Sequence, residues 1–335
     1  MILILGSDTF EQGTDPVIDW LLSLKADFLK ITLDDFFKNF NHLNIDIDQK
    51  KIYYKNDCLN DRVNVVWYRH FAQKKHFVSK NEHPFSHQIN DELNSEIETF
   101  NEYFFECLKD KQWVSPFSST QVNKLSMLNS AASIGLQTPR SSILNTQQAV
   151  TTFLEEGNGK SIIKQFSDHS RNYYSFNDKT YVSLVKGITQ KDISNLPLNF
   201  FPTLFQERID TDFEIRAFYI DGQFFATAIL CEAGYEVDDR KKFVTQNNIH
   251  HLSYELPVEI TEKLTRLMKT TGLYMGGIDL VKDKQGSYYF LEVNPIGQYL
   301  YESNKCNYPI PKVIAEYLIK SDTTLSYGTD QRHCF

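Results

Sequence analysis

Residues 277–295 constrain the fold of this chain more than any other stretch. Two apolar, β-rich runs, Gly277-Ile278-Asp279-Leu280-Val281-Lys282 and Ser287-Tyr288-Tyr289-Phe290-Leu291-Glu292-Val293-Asn294-Pro295, flank the turn-like cluster Asp283-Lys284-Gln285-Gly286. The pattern predicts a β-hairpin. It carries three oxygen-bearing side chains, Asp279, Glu292 and Asn294, on strands otherwise suited to burial. Strand side chains alternate, so Glu292 and Asn294 point to the same side. With the turn centred between Lys284 and Gln285, Asp279 faces Phe290 and lies diagonal to Glu292 on that side. A slip of one residue sends it to the opposite side. In the first register two carboxylates and an amide converge, and two carboxylates held together repel and desolvate badly without a cation between them. An all-oxygen set suits a hard ion, above all Mg²⁺ carrying nucleotide phosphates. The competing reading is a solvated hairpin edge.

At 335 residues the chain is long for a single core and is expected to form two or three lobes. Its net charge of -8 argues against general nucleic-acid binding. The five cysteines are scattered and contain no C-x-x-C pair, which fits a reducing cytoplasm and excludes a disulfide framework or a zinc site. No apolar run reaches membrane-spanning length, and the first residues lack the basic flank of a signal peptide.

The run Met1-Ile2-Leu3-Ile4-Leu5 reads as a buried parallel strand. Asp15-Pro16 then opens a helix through Val17, Ile18, Leu21 and Leu22, and a second strand occupies 28–33. This is the start of a doubly wound α/β lobe, yet Gly6-Ser7-Asp8-Thr9-Phe10 is not the Gly-rich turn of a dinucleotide site, so the lobe is read as nucleotide-free. Another strand covers 63–68. A long helix follows with Ile89, Leu93, Ile97, Phe100, Phe104 and Leu108 on one face, and Trp113-Val114-Ser115-Pro116 marks a lobe boundary. The next helix is expected to turn Val122, Leu125, Leu128 and Ala132 inward. Lys124 beside that face reads on pattern alone as a surface lysine. Lys164, inside the β-branched run Ser161-Ile162-Ile163-Lys164, has either a phosphate partner or an exposed edge position. Asp221-Gly222 between two strand patterns is a hairpin turn, and Glu214 and Arg216 share one face of the first strand, as site residues or as a salt pair on a solvated sheet. Pro257 opens a helix with Ile260, Leu264, Leu267 and Met268 inward. A last helix covers 310–319, and a loose polar tail follows.

Taken in order, Lys124, Lys164, Gln206-Glu207-Arg208-Ile209, Glu214-Ile215-Arg216, Asp279 and Glu292-Val293-Asn294-Pro295 resemble the ATP-grasp ligases. Val66-Trp67-Tyr68-Arg69, Trp113-Val114-Ser115-Pro116, Asn123-Lys124-Leu125, Asp239-Arg240 and Leu291-Glu292-Val293-Asn294-Pro295-Ile296-Gly297-Gln298-Tyr299 look like the graspetide (microviridin-type) peptide ligases. The N-terminal run with Val17-Ile18-Asp19-Trp20-Leu21 is most similar to their grasp-with-spasm branch. The resemblance spans roughly residues 1–320.

The resemblance implies an α/β fold of the ATP-grasp type: a Rossmann-like N-terminal lobe (1–115), a central lobe (116–205), a C-terminal lobe with the nucleotide and metal site (206–320), and a flexible tail (321–335). It implies ATP and Mg²⁺ as cofactors. Lys124 and Lys164 would neutralise phosphates, Gln206, Glu207, Arg208 and Ile209 would hold adenine, and Glu214 would hold the ribose. Asp279, Glu292 and Asn294 would hold the metal. Arg216 would face the γ-phosphate, and Arg240 would hold an acidic substrate side chain. The implied partner is a ribosomal precursor peptide, a leader plus an acidic core with Ser, Thr or Lys. Members are often homodimers. Many ATP-grasp proteins cover the phosphates with a Gly-rich loop, whereas Ser167-Asp168-His169-Ser170-Arg171-Asn172 has no glycine. The implied activity makes acyl-phosphates of Asp or Glu side chains and joins them to hydroxyls or amines as macrocyclic ω-esters or ω-amides. The alternative is a carboxylate–amine ligase acting on a small molecule or a protein tail.

Overall fold

The apolar run at the start of the chain becomes β1 (Ile2–Leu5), with every side chain buried. The structure is a computed structural model and describes residues 1–7, 11–39, 41–72, 74–79, 82–120, 122–166, 173–176, 179–182, 185–231 and 249–330. It divides into two units, Met1–Thr120 with Pro309–Phe335, and Gln121–Tyr308.

In the first unit, α1 (Asp15–Ser23) carries Pro16 in its first turn, where a missing N–H costs nothing. The next strand, β2 (Phe28–Ile31), stops two residues short of expectation. Thr32 and Asp35 form a capping box that starts α2 (Leu33–Phe37), so Asp34 and Asp35 lie in a helical first turn. A small antiparallel sheet of β3 (Leu43–Asp46), β4 (Lys51–Tyr54) and β5 (Asp57–Cys58) has no clear signal in the sequence. After α3 (Leu59–Arg62) come β6 (Val65–Tyr68), α4 (Ser86–Cys107), β7 (Gln112–Val114) and α5 (Phe117–Thr120). The main sheet is parallel in the order β2-β1-β6-β7. Along α4 the expected face is buried at Ile97, Phe104 and Leu108 but uncovered at Leu93. There the side-chain amides of Asn90 and Asn94 hold the backbone of Lys75, Phe77 and Val78 against the helix through hydrogen bonds.

The second unit begins with α6 (Lys124–Ser133), whose N-terminus is capped by Asn123. Its buried side chains are Met127, Leu128 and Ala131; Ala132 is exposed, which corrects the expected inward set by one position. Then follow β8 (Ser141–Thr146), α7 (Gln147–Glu155), β9 (Lys160–Lys164), the paired strands β10 (Tyr173–Phe176) and β11 (Lys179–Val182), β12 (Lys186–Thr189), and β13 (Asn199–Glu207). The sheet β12-β9-β13-β8 buries Ile188 and Phe205 against Val150, Phe153 and Leu154 of α7. A second sheet, β16-β15-β14-β17-β18, is antiparallel throughout. Its strands are β14 (Thr211–Ile220), β15 (Gln223–Cys231), β16 (Ile249–Tyr254), β17 (Met275–Asp283) and β18 (Tyr288–Asn294). At the β14–β15 turn, Asp221 and Gly222 both have positive φ (43° and 91°), which matches the twist of a two-residue hairpin. One face of this sheet is buried under α6 and α8 (Val258–Thr270), with Ile215, Ala217, Ile278, Leu280, Phe290 and Val293 packed on Leu264, Leu267 and Met268. Although the sequence groups α6 with the central lobe, it packs on this second sheet. The other face carries polar residues, and α9 (Leu300–Cys306) follows it in the chain.

The last helix, α10 (Ile310–Asp330), belongs to the first unit rather than to the C-terminal lobe. It also runs well into the expected tail. Ser321 is buried, and Asp322 accepts hydrogen bonds from the Met1 amino group and from Asn64 Nδ2, each at 2.8 Å. These partners hold the helix in place past residue 320.

Candidate active site

The polar face of the second sheet is built from cross-strand rows. Arg216 on β14 stands opposite Asp279 on β17, and Asp279 stands opposite Glu292 on β18. This pairing corrects the register read from the sequence. Lys282 pairs with Tyr288 and Leu280 with Phe290, but Asp279 then pairs with Glu292, leaving Leu291 as the extra residue of a β-bulge. Strict alternation would put Phe290 and Glu292 on one face. The bulge instead sends Phe290 into the core, fully buried, and Glu292 to the polar face beside Asp279.

Each carboxylate has a cation. Arg216 Nη1 donates to Asp279 Oδ2 at 2.8 Å, and its Nη2 donates to the Gln298 carbonyl at 3.3 Å. Lys124 Nζ donates to Glu292 Oε2 at 2.7 Å. Lys124 lies on the packed side of α6 with Leu128 and Ala131, its side chain 18% exposed, which corrects the surface position read from pattern alone. Burial alone would lower the Arg216 pKa, but the Asp279 charge and hydrogen bond outweigh it and raise the value. Lys164 on β9 looks toward the same cluster. Burial lowers its pKa, Glu292 opposes that, Lys124 adds to it, and Asp279 and Glu214 oppose it further. Glu214 lies two residues before Arg216 on the same face, with Ile215 turned to the core. Asn294 Oδ1 accepts the Gly297 N–H at 3.2 Å.

The segment 206–209 joins the two sheets and is tied to both. Glu207 N–H donates to the Arg140 carbonyl at 2.8 Å and Arg208 N–H to the Lys160 carbonyl at 3.2 Å. Thr211 Oγ1 donates to the Ile209 carbonyl, and Lys284 pairs with Asp210 at 2.8 Å. Glu207 also lies close enough to Tyr289 to help burial raise that phenol's pKa. Gln206 is buried on the same face of its sheet as Lys164, because Leu204 pairs with Lys164 and Gln206 with Ile162. Its Nε2 donates to Ser141 Oγ at 3.0 Å, and Ser141 donates its one proton to the Pro139 carbonyl at 2.8 Å. A hydroxyl that has spent its proton can only accept, so the Gln206 amide orientation is fixed. Its Oε1 is buried with no partner among the described residues.

The structure thus gathers Lys124, Lys164, Glu214, Arg216, Asp279, Glu292 and Asn294 in one unit, with Gln206, Glu207, Arg208 and Ile209 at its margin. Arg240, with Lys241 and Lys242, and the glycine-free segment 167–172 lie outside the described residues. No group of three or more His, Cys, Asp or Glu side chains placed to hold a metal ion is found among the described residues; the candidate metal set is two carboxylates and one amide. Two carboxylates held side by side and already countered by cations fit a hard divalent ion with oxygen ligands. Sequence reasoning missed Gly277, Thr227 and Ser141. Gly277 had a signal, since a glycine inside a strand pattern marks a close approach by another group. Thr227, fully buried opposite Arg216, and Ser141 had none.

No family model and no curated protein matches the chain by sequence. Among solved structures, it is similar to the macrocyclase MdnC from Microcystis aeruginosa MRC bound with precursor peptide MdnA, with TM-score 0.78, 22% identity, and 96% of this chain and 100% of that one covered. It is similar to a Chryseobacterium gregarium RiPP-associated ATP-grasp ligase in complex with ADP and a leader and core peptide, with TM-score 0.77, 19% identity, and 95% and 96% covered. It is also similar to the ATP-grasp ligase PsnB complexed with minimal precursor, Mg and ADP, with TM-score 0.76, 18% identity, and 96% and 97% covered. The two-sheet unit around the Arg216–Asp279–Glu292 row, preceded by a parallel α/β unit, is the ATP-grasp fold.

Proposed function

We propose that the chain is an ATP- and Mg²⁺-dependent peptide ligase acting on a ribosomal precursor peptide. It activates Asp or Glu side chains of an acidic core as acyl-phosphates. A Ser or Thr hydroxyl or a Lys amine then attacks the acyl carbon, loses its proton and displaces phosphate, giving macrocyclic ω-esters or ω-amides. The observation that carries this reading is the Arg216–Asp279–Glu292 row with Lys124 and Lys164 turned toward it. A carboxylate is a poor electrophile, and a site for activating one needs cations where phosphoryl charge gathers. The likeness in fold to a solved macrocyclase and two solved ATP-grasp ligases, each bound to a precursor or to leader and core peptides, supports a peptide as the acyl donor.

In this reading Asp279, Glu292 and Asn294 hold the ion, and Lys124 leaves Glu292 for a phosphate oxygen. Lys164 neutralises phosphate from the opposite sheet. Gln206, Glu207, Arg208 and Ile209 line the base site, and Glu214 takes the ribose hydroxyls. Arg216, fixed on Asp279, orients the transferring group, and Arg240 receives the acidic side chain of the core. Bound Mg²⁺·ATP supplies the phosphoryl group and part of the charge screening.

The test is incubation with ATP, Mg²⁺ and a short acidic, Thr-rich peptide encoded beside this chain's gene. Each crosslink should appear in the mass spectrum as the loss of one water. An unchanged peptide together with ligation of a free amino acid would replace this reading with that of a small-molecule ligase.

A further inference from the structure

Three glycines surround the site, and they are not equivalent. A Cβ built on Gly276 would lie 3.0 Å from the Asn294 carbonyl oxygen and 3.3 Å from Met268 Cε, so that glycine serves the packing of backbone on backbone. Gly297 has φ +61°, and a Cβ there would lie 3.0 to 3.2 Å from Phe218, Gly277 N and Gly276 C. Its need for glycine is conformational and steric together. Gly277 differs from both. It sits mid-strand in β17 without positive φ, and what its Cβ would meet is the head of one side chain: Arg216 Cζ at 2.6 Å and Nε at 3.0 Å. The guanidinium occupies the volume a side chain at 277 would fill.

We propose that Gly277 is a positioning residue, a bare stretch of backbone on which the Arg216 guanidinium lies so that one arginine can reach both Asp279 and the Gln298 carbonyl. The inference rests on the proposed ligase reading for its effect on turnover, but its geometry stands apart from it. Arg216 and Asp279 are direct cross-strand neighbours, whereas Gly277 is the next same-side residue along β17, opposite Phe218 and Asn294. The arginine therefore runs from its own row toward the Gly277 row before its Nη1 turns back to Asp279. A methyl group at 277 blocks that path. The backbone at 277 accepts an L-residue without strain, and the clash is with the end of a long side chain, so the fold survives while the guanidinium moves.

The test is Gly277→Ala alone and in an Arg216→Lys background, where no planar head fills the seat. Gly277→Ala should leave the thermal midpoint within about 4 °C of wild type. It should lower kcat about 100-fold, the scale of an ångström's misplacement, with KM for nucleotide nearly unchanged. In the Arg216→Lys background the added alanine should cost less than about twofold, since contacting residues are non-additive. A crystal structure of ligand-free Gly277→Ala should show the guanidinium off Asp279 or off the Gln298 carbonyl. Equal losses in both backgrounds, or a guanidinium that keeps both contacts beside the new methyl group, would overturn the proposal. If wild type crosslinks no peptide, the ligase reading fails, and the crystal structure of the variant still decides the seat.

Discussion

Asp279 and Glu292 face each other across β17 and β18 because Leu291 is looped out of the pairing between them. One extra residue separates a core phenylalanine from a site glutamate two positions later. The carboxylate pair is thus a product of the backbone and would vanish if the ladder ran unbroken from the Leu280–Phe290 pair.

The two acids should respond differently to removal. Asp279→Ala strands the Arg216 guanidinium, whose side chain is only 9% exposed, and should cost about 3 kcal/mol of stability. Glu292→Ala releases Lys124, whose side chain is 18% exposed against 9% for Arg216 and whose long stem can carry the ammonium toward water, and should cost less, about 1 kcal/mol. Both should abolish peptide turnover. Urea unfolding of the two variants checks the difference, and equal costs would contradict the burial argument.

Lys164 should shape the alkaline stability of the protein. Its folded pKa is lowered, chiefly by burial, below the unfolded value of about 10.4. Between the two values the unfolded chain holds the proton and the folded one does not, so stability from this group rises with pH across that window and is lowest beneath it. Lys164→Met should therefore be more stable than wild type at neutral pH. The gap should close as pH approaches about 10.4. Unfolding curves at a series of pH values test this, and a gap that widens with pH would refute it.

The Gln206–Ser141 contact should be asymmetric. Ser141→Ala leaves the buried Gln206 Nε2 without its acceptor and should cost about 1–3 kcal/mol. Gln206→Leu removes an Oε1 that has no partner among the described residues and should be close to neutral in stability. Chemical denaturation of both variants compares them directly.

Asp283 should be worth more than an exposed turn residue. It is 7% exposed, and its Oδ1 accepts the N–H groups of Gln285 at 3.0 Å and Ser287 at 2.7 Å. Asp283→Ala should cost about 2–3 kcal/mol, the range for hydrogen bonds to a charged acceptor. Thermal unfolding checks it, and a change under about 0.5 kcal/mol would place the turn's stability elsewhere.

Much of the fold was legible where local chemistry decides it. The apolar run of β1, Pro16 at the head of α1, Asp221-Gly222 between two strand patterns, and the apolar face of α8 all carry their structure in a few adjacent residues. The small sheet β3-β4-β5 and the sheet strand β8 were not legible, because short mixed strands hold their shape through partners distant in sequence. For the candidate site, the sequence placed Glu214 and Arg216 on one face through alternation alone. It left the carboxylate row open between two registers, since no residue type announces a bulge at Leu291. Lys124 reads as a surface lysine on pattern for a related reason: its side of α6 is a packed face only against β18. The length of α10 escaped notice because its support comes from the far end of the chain, through Met1 and Asn64.

That return of α10 sets the order in which the molecule can be assembled during synthesis. Val17 and Leu21 of α1 belong to a unit whose last helix is translated only after all of Gln121–Tyr308. Domains ordinarily mature from the N-terminus as they leave the ribosome. Here the interrupted unit, begun first, is finished last, and the inserted one can close while its host still waits.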